Sequence, residues 1–289
     1  MVSASCSSGS GGTRREWVRL CGVAVRFGVI SDVHGNLPAL RAAISDLGRH
    51  GVDGWLCVGD LVGYGAYPNE CVETVAQLGA LGVAGNHELI ALGVLPGASS
   101  SERAHRSHRW TAAALNPDVA TYLRERPLRL VVDDIVLAHG SLDDAEEYVH
   151  SASLAADQVT QLSRDHPGAR LLLLGNTHRQ LLYSERGGLQ RIAHGASTKL
   201  DPSQRYVANP GSVGQPRQWE WPPRVRAAIA DMERHHLIFR KIDYDHRAYR
   251  RELASLGLPY RSLHSPPPVG PAVRRRARRL IKALGVGQQ

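Results

Sequence analysis

Arg26-Phe-Gly-Val-Ile-Ser-Asp-Val-His-Gly-Asn36 is the stretch on which the fold of this 289-residue chain turns. A β-rich run, Val23 to Ile30, ends in polar residues and apolar periodicity resumes at Leu37, the pattern of a strand that passes through a loop into a helix. Two metal-capable side chains, Asp32 and His34, stand at that exit with one residue between them. On extended backbone they point the same way, so that a carboxylate oxygen and an imidazole nitrogen meet one divalent cation. An N-cap aspartate followed by a surface histidine satisfies the same tripeptide, and only the rest of the chain can separate the two.

Outward from that stretch, strand and helix alternate as in an α/β protein. Pro38 to His50 is amphipathic, with Leu40, Ala43, Ile44 and Leu47 on one face. Gly54 to Val58 is a second strand ending at Gly59-Asp60, and the loop Leu61 to Tyr67 leads into a helix, Pro68 to Leu78, with proline in its first turn. Leu81 to Ala84 is a third strand. Leu92 to Arg126 is expected as helices and loops capping the site. Leu128 to Val132 and Ile135 to Ala138 flank Asp133-Asp134 as a hairpin, followed by a helix at Ala155 to Arg164 and a buried strand at Ala169 to Leu174. Leu181 to Ile192, Tyr206 to Ala208, Val225 to Asp231 and Leu237 to Tyr244 are expected as antiparallel strands, and His246 to Leu256 as a helix.

Five of these strands terminate in Asp32/His34, Asp60, Asn86/His87, His139 and Asn176/His178, each beside a glycine or another small residue that lets the backbone turn. In open α/β sheets ligands gather at such exits. A single histidine there is usually structural, whereas five exits with oxygen or imidazole donors favour a metal site. The donor set suits manganese, iron, zinc, nickel or cobalt rather than a thiolate site or an all-oxygen calcium cage. Two ions can be held if one carboxylate bridges them.

Composition limits the alternatives. An apolar content of 43% supports a full core, and no stretch is long and apolar enough to span a bilayer. Residues 1–22, Ser/Gly-rich up to Gly12 and without a signal-peptide core, are expected as a disordered leader or an over-long start, and the protein as cytoplasmic. Cys6, Cys21, Cys57 and Cys71 have no Cys-x-x-Cys spacing, so reduced thiols are expected, with Cys57 in a buried strand. The net charge of +8 resides at the ends: residues 261–289 carry seven Arg and Lys with no acid, leaving the folded domain, residues 23–260, near neutral. That Pro/Arg-rich basic tail is open to two readings, a solvated terminal helix or a contact to nucleic acid, an acidic partner or an anionic membrane. Oligomeric state is not legible.

Asp32-Val-His34, Gly59-Asp60, Gly85-Asn-His87-Glu88, His139-Gly140 and Gly175-Asn-Thr-His178, in that order, resemble the five signature blocks of the calcineurin-like metallophosphoesterases, most closely the small bacterial and archaeal phosphodiesterase group. Gly59-Asp-Leu-Val-Gly-Tyr-Gly65 and Asn209-Pro-Gly-Ser-Val-Gly-Gln-Pro-Arg217 extend the likeness, which runs from about Val23 to Tyr244. The resemblance implies a four-layer α/β/β/α sandwich and two metal ions at the strand ends. It implies Asp32, His34 and His178 on the first metal, Asp60 bridging, and Asn86 and His139 on the second.

One position departs from the family pattern. Asn176 stands where a further histidine is usual, and three outcomes are open: ligation through the amide oxygen, a weak second site, or lost activity. The implied reaction is hydrolysis of a phosphodiester or phosphomonoester by a hydroxide bridging the ions. His87 would protonate the leaving oxygen, a task for a group titrating near pH 7. Arg217 and, second to it, Arg179 are candidates for the substrate phosphate, although each also fits a surface salt bridge. Arg103, His105, Arg106, His108 and Arg109 form either a basic lid or an exposed polar helix. The alternatives in function are a nucleotide-binding or scaffold protein with an impaired second site, and a nucleic-acid-associated nuclease using the tail.

Overall fold

Along Arg26–Ile30, Phe27 and Val29 pack into one apolar cluster with Leu137, Leu173 and Phe239, whereas Ile30 joins Leu40, Ala43 and Leu47 on the opposite face. This period of two, with both faces buried, explains why the strands read as nearly continuous apolar runs. In the computed structural model the described residues are 17–18, 25–96, 102–190, 192, 195–218, 220 and 222–258. Their elements run in the order β1 (Trp17–Val18), β2 (Arg26–Ile30), α1 (Leu37–Arg49), β3 (Gly54–Cys57), α2 (Pro68–Gln77), β4 (Leu81–Gly82), α3 (Asn86–Ala91), α4 (Glu102–Ala114), α5 (Pro117–Arg124), β5 (Arg129–Val132), β6 (Ile135–Ala138), α6 (Ala152–Asp165), β7 (Leu171–Leu173), β8 (Gln180–Ser184), β9 (Gly188–Gln190), β10 (Ser197–Lys199), β11 (Tyr206–Pro210), β12 (Val225–Asp231), β13 (His236–Ile242) and α7 (His246–Ser255).

The strands form a six-stranded sheet, β10-β13-β12-β2-β3-β4, and a seven-stranded sheet, β1-β5-β6-β7-β11-β8-β9. The cluster of Phe27, Val29, Leu56, Leu137, Leu173 and Ala208 fills the space between them. Helices α1, α2 and α5 cover the outer face of the first sheet through Leu40, Leu47, Val72, Val75 and Leu123, and α6 covers the outer face of the second through Ala155, Val159 and Leu162. The result is the four-layer α/β/β/α sandwich. Each fully buried Leu, Ile, Val or Phe contributes about 1.5–3 kcal/mol to such a stack. Asn36 caps α1 by accepting from the Ala39 N–H at 3.2 Å, with Pro38 in the first turn.

The hairpin at Asp133-Asp134 forms as expected, with Val132 opposite Ile135. Three expectations need correction. Leu181 to Ile192 is not one strand: Glu185-Arg-Gly-Gly188 turns, with Gly188 at φ +64°, and splits it into the antiparallel pair β8 and β9. Tyr206–Pro210 is only half antiparallel, because β11 pairs parallel with β7 and antiparallel with β8. The strand expected at Leu81 to Ala84 is shorter, Leu81–Gly82, and Asn86, placed at its exit, opens the short helix α3. Strands β1 and β10 carry no periodic signal long enough to find them; β1 lies within the expected leader and pairs parallel with β5. The basic tail, Cys6, Cys21 and His194 lie outside the described residues, while Cys57 and Cys71 are buried free thiols. Among the described residues no helix is long and apolar enough to cross a membrane.

Candidate metal centre

The loops leaving β2 and β3 are laced together by backbone. Asp32 N–H donates to Gly59 O at 3.0 Å, His34 N–H to Asp60 O at 2.9 Å and Gly35 N–H to Leu61 O at 2.8 Å. Within this lattice Asp32 and His34 are not extended, as the sequence suggests, but left-handed, at φ +53° and +49°. Asp60, Asn176 and His178 share that conformation, at +56°, +60° and +59°. Each such non-glycine residue costs about 1–2 kcal/mol, and Asp and Asn tolerate it best. The side chains therefore converge because alternate residues are turned inward by a tightly bonded loop, not by the pleat of a strand.

Asp32, His34, Asp60 and His178 bring one ligand atom each to within 4.8 Å of one another, and all four are buried. His178 Nε2 lies 3.2 Å from Asp32 Oδ1, and His34 Nε2 lies 3.7 Å from Asp60 Oδ2. The Nδ1–H of His34 donates to Val62 O at 3.1 Å and that of His178 to Gln215 O at 2.7 Å. Each neutral ring then offers only a lone pair at Nε2, and the two Nε2 atoms face each other at 3.1 Å. Burial, with the neighbouring positive groups, holds both imidazoles well below their ordinary pKa. Two converging lone pairs beside two carboxylates form a receptor for a cation.

A second set meets the first at Asp60 Oδ2. His139 donates Nδ1–H to Val58 O at 2.6 Å, and its Nε2 lies 3.2 Å from Asp60 Oδ2. Among the described residues Asp60 Oδ2, His139 Nε2 and Asn86 Oδ1 are buried without a hydrogen-bond partner, which fits a cation held by those three atoms. Asn176 is placed differently: its N–H donates to Asp32 Oδ1 at 3.2 Å, and its Nδ2 donates to Glu147 O at 3.0 Å and Ala145 O at 3.4 Å. The amide nitrogen is thus committed to the 145–147 loop.

Burial works to raise both carboxylates, but their neighbours drive them apart. Burial, aided by Asp60, pushes Asp32 up to about 7. Asp60 is held below the usual range because the surrounding histidines outweigh its burial, and its charge in turn raises His139 to about 10 against the effect of burial. A divalent cation is the group that relieves this crowding of buried negative charge.

Sequence reasoning missed the role of Glu88. Its buried carboxylate accepts from Asp60 N–H at 2.8 Å, Gly85 N–H at 2.7 Å and Val62 N–H at 3.1 Å, clamping the loop of Asp60 to the start of α3. Asp60 Oδ1 reciprocates by accepting from His87 N–H at 2.9 Å. His87 turns Nε2 toward the centre, 3.9 Å from Asp60 Oδ2, and its ring is packed by Tyr64 and by His108 of α4, with centroids 4.6 and 4.8 Å away. Burial pushes His87 down to about 4, only partly offset by Asp60, so the expected titration near pH 7 is not a property of the protein groups alone.

The remaining candidates divide between mouth and surface. Arg217 N–H donates to His178 O at 3.2 Å, its guanidinium bonds Tyr148 Oη at 3.2 Å, and its charge depresses His34, His87 and His178. Arg179 is exposed. Of the basic segment in α4, His108 faces the site while His105, Arg106 and Arg109 are exposed. The loop after β11 supports Asp32: Ser212 Oγ donates to Asp32 O at 2.8 Å and Gly214 N–H to the same oxygen at 2.9 Å.

Comparison with known proteins agrees with this geometry. A calcineurin-like phosphoesterase family model matches residues 25–223. An uncharacterised protein of Methanocaldococcus jannaschii is 32% identical over 195 residues, 65% of this chain and 76% of that protein. The crystal structure of a metallophosphoesterase from Sphaerobacter thermophilus superposes with a TM-score of 0.71 at 33% identity, covering 82% of this chain and 96% of that one. A hypothetical protein of Pyrococcus horikoshii shares the fold, with a TM-score of 0.65 at 20% identity over 83% of this chain and 96% of its own. A family match over more than half the chain, on the same strand ends that bring Asp32, His34, Asp60 and His178 together, places the protein in the calcineurin-like phosphoesterase family.

Proposed function

We propose that the protein hydrolyses a small phosphodiester or phosphomonoester with two divalent cations, manganese, iron, zinc, nickel or cobalt, at the centre described above. The observation that carries the reading is the pair of His34 and His178 Nε2 lone pairs converging beside Asp32 and Asp60. Asp32, His34 and His178 would hold the first cation, Asp60 would be shared with the second, and Asn86, His139 and the Asn176 amide oxygen would complete that second, weaker site. Cations so placed stabilise charge on the phosphoryl oxygens and make a water nucleophile available near neutral pH.

The chain's own groups do the rest. Arg217 at the mouth pairs with the substrate phosphate, and Arg179, farther out, is the lesser contact. The buried His87 sits beside the reacting centre, where the negative charge of a bound phosphate raises its affinity for a proton and lets it pass that proton to the leaving oxygen. Buried reduced thiols at Cys57 and Cys71 suit a cytoplasmic compartment. The test is hydrolysis of bis-p-nitrophenyl phosphate and p-nitrophenyl phosphate by chelator-treated protein with each cation restored in turn. Turnover restored by at least one cation is expected, and folded protein that turns over neither ester with any of the five refutes the proposal.

A further inference from the structure

The loops that present His34 and Asp60 are also held from the far end of the chain. The Tyr249 hydroxyl, in α7, donates to Gly35 O at 2.8 Å and accepts from Ala66 N–H at 3.1 Å. One oxygen thereby joins the residue after His34 to the loop that begins at Asp60. Tyr249 is 1% exposed, its ring packed with Leu253, Leu258, Tyr67 and Trp110. Gly35 O also accepts from Tyr67 N–H at 3.0 Å, so both of its lone pairs are used in tying the two loops. The approach is close enough that a methyl group on Gly65 would overlap both His34 O and the Tyr249 hydroxyl. Helix α7 lies C-terminal to residues 25–223, the segment that matches the family.

We propose that Tyr249 is a positioning residue for the metal centre, tying together the backbone that follows His34 and the backbone that follows Asp60 so that their left-handed conformations persist and their ligand atoms stay convergent. The inference rests on the metal-centre reading given above. Tyr249 contacts neither cation nor substrate; it acts through Gly35 and Ala66. Removing the hydroxyl leaves the partly buried Ala66 N–H without its acceptor and frees the two loops to relax, which spreads the ligand set.

The experiment is a calorimetric manganese titration of chelator-treated full-length protein, for wild type, Tyr249→Phe, and Val159→Ala. Val159 lies on α6, in the layer that covers the other sheet, and its truncation lowers the melting temperature without touching either loop. Tyr249→Phe is expected to weaken manganese binding about 3- to 10-fold, below the roughly 10- to 100-fold typical of groups that bond a ligand directly. Val159→Ala is expected to leave binding unchanged at comparable loss of melting temperature. Unchanged binding in folded Tyr249→Phe, or equal weakening in the two variants, overturns the inference and leaves the metal centre standing. Wild type that binds no manganese overturns both. Should Tyr249→Phe fail to fold, amide exchange in the wild type decides: Ala66 N–H must gain protection together with His34 and Asp60 N–H when manganese is added, and an Ala66 amide indifferent to the metal refutes the link.

Discussion

Asn176→His changes the one candidate ligand at which the chain departs from the family pattern, and the structure gives the effect two opposite signs. Three histidines of the centre, His34, His139 and His178, share one arrangement: Nδ1–H donates to a backbone carbonyl, at 3.1, 2.6 and 2.7 Å, and Nε2 points inward. Position 176 already has such acceptors, Glu147 O and Ala145 O, which now receive the Asn176 amide. An introduced imidazole can use one of them and present Nε2 where the amide presents oxygen. For a borderline cation this exchange tightens the second site by about tenfold, or about 1.4 kcal/mol. Stability moves the other way. The left-handed backbone at φ +60° favours Asn, and one of the two amide hydrogen bonds is lost, which together cost about 0.5–1.5 kcal/mol. Turnover of bis-p-nitrophenyl phosphate against manganese concentration, with melting curves in chelator, reads both effects. The half-saturating concentration should fall about tenfold while the melting temperature in chelator drops; an unchanged half-saturation in folded protein would refute the placing of Asn176 at the second site.

Other perturbations test the supports of the centre. A methyl group at Gly63, where φ is +88°, overlaps His87 Nδ1, so Gly63→Ala should displace that ring and lower kcat by at least about 10-fold, a loss in line with a misplaced proton donor; a kcat within twofold of wild type would count against the role of His87. Glu88→Gln replaces one of the two carboxylate oxygens that accept from the Asp60, Gly85 and Val62 N–H groups with an NH2 donor, and should cost about 2–3 kcal/mol in urea unfolding. Asp46, on α1, tests the fold away from the centre. It is clasped by Arg240 at 2.9 and 3.1 Å, and although burial works to raise its pKa, Arg240 holds it below its ordinary value of 3.8. A depressed carboxyl stabilises the fold above about pH 4 and loses that contribution as the pH falls through its folded-state pKa. Asp46→Asn should therefore destabilise by about 1–3 kcal/mol at pH 7 and progressively less in acid; a difference that persists undiminished at pH 2 would contradict the ion-pair account.

The layers were legible because the pattern that makes them is local. In Val225–Asp231, Val225, Ala227 and Ile229 face one apolar cluster and Ala228 and Ala230 the other, so the strand follows from its period of two. The five strand exits were legible for a similar reason, since polar donors beside glycine interrupt apolar runs. What the sequence hides is conformational or distant. Asp32 and His34 carry no signal that they are left-handed, because that state is imposed by Gly59 O and Asp60 O across a neighbouring loop. Glu88 resembles any helical glutamate until its three backbone partners are seen, and His108 resembles an exposed basic residue until α4 lays it on His87. The turn within Leu181 to Ile192 was marked by Gly187-Gly188, but leucines on both sides mask it.

The most direct test of the account is anomalous diffraction from crystals of the full chain grown with manganese. Two peaks flanking Asp60 are expected, one among Asp32, His34 and His178 and one among Asn86, His139 and Asn176, the second gaining occupancy as the manganese concentration rises. Manganese bound elsewhere, or none at this cluster in well-ordered crystals, would contradict it.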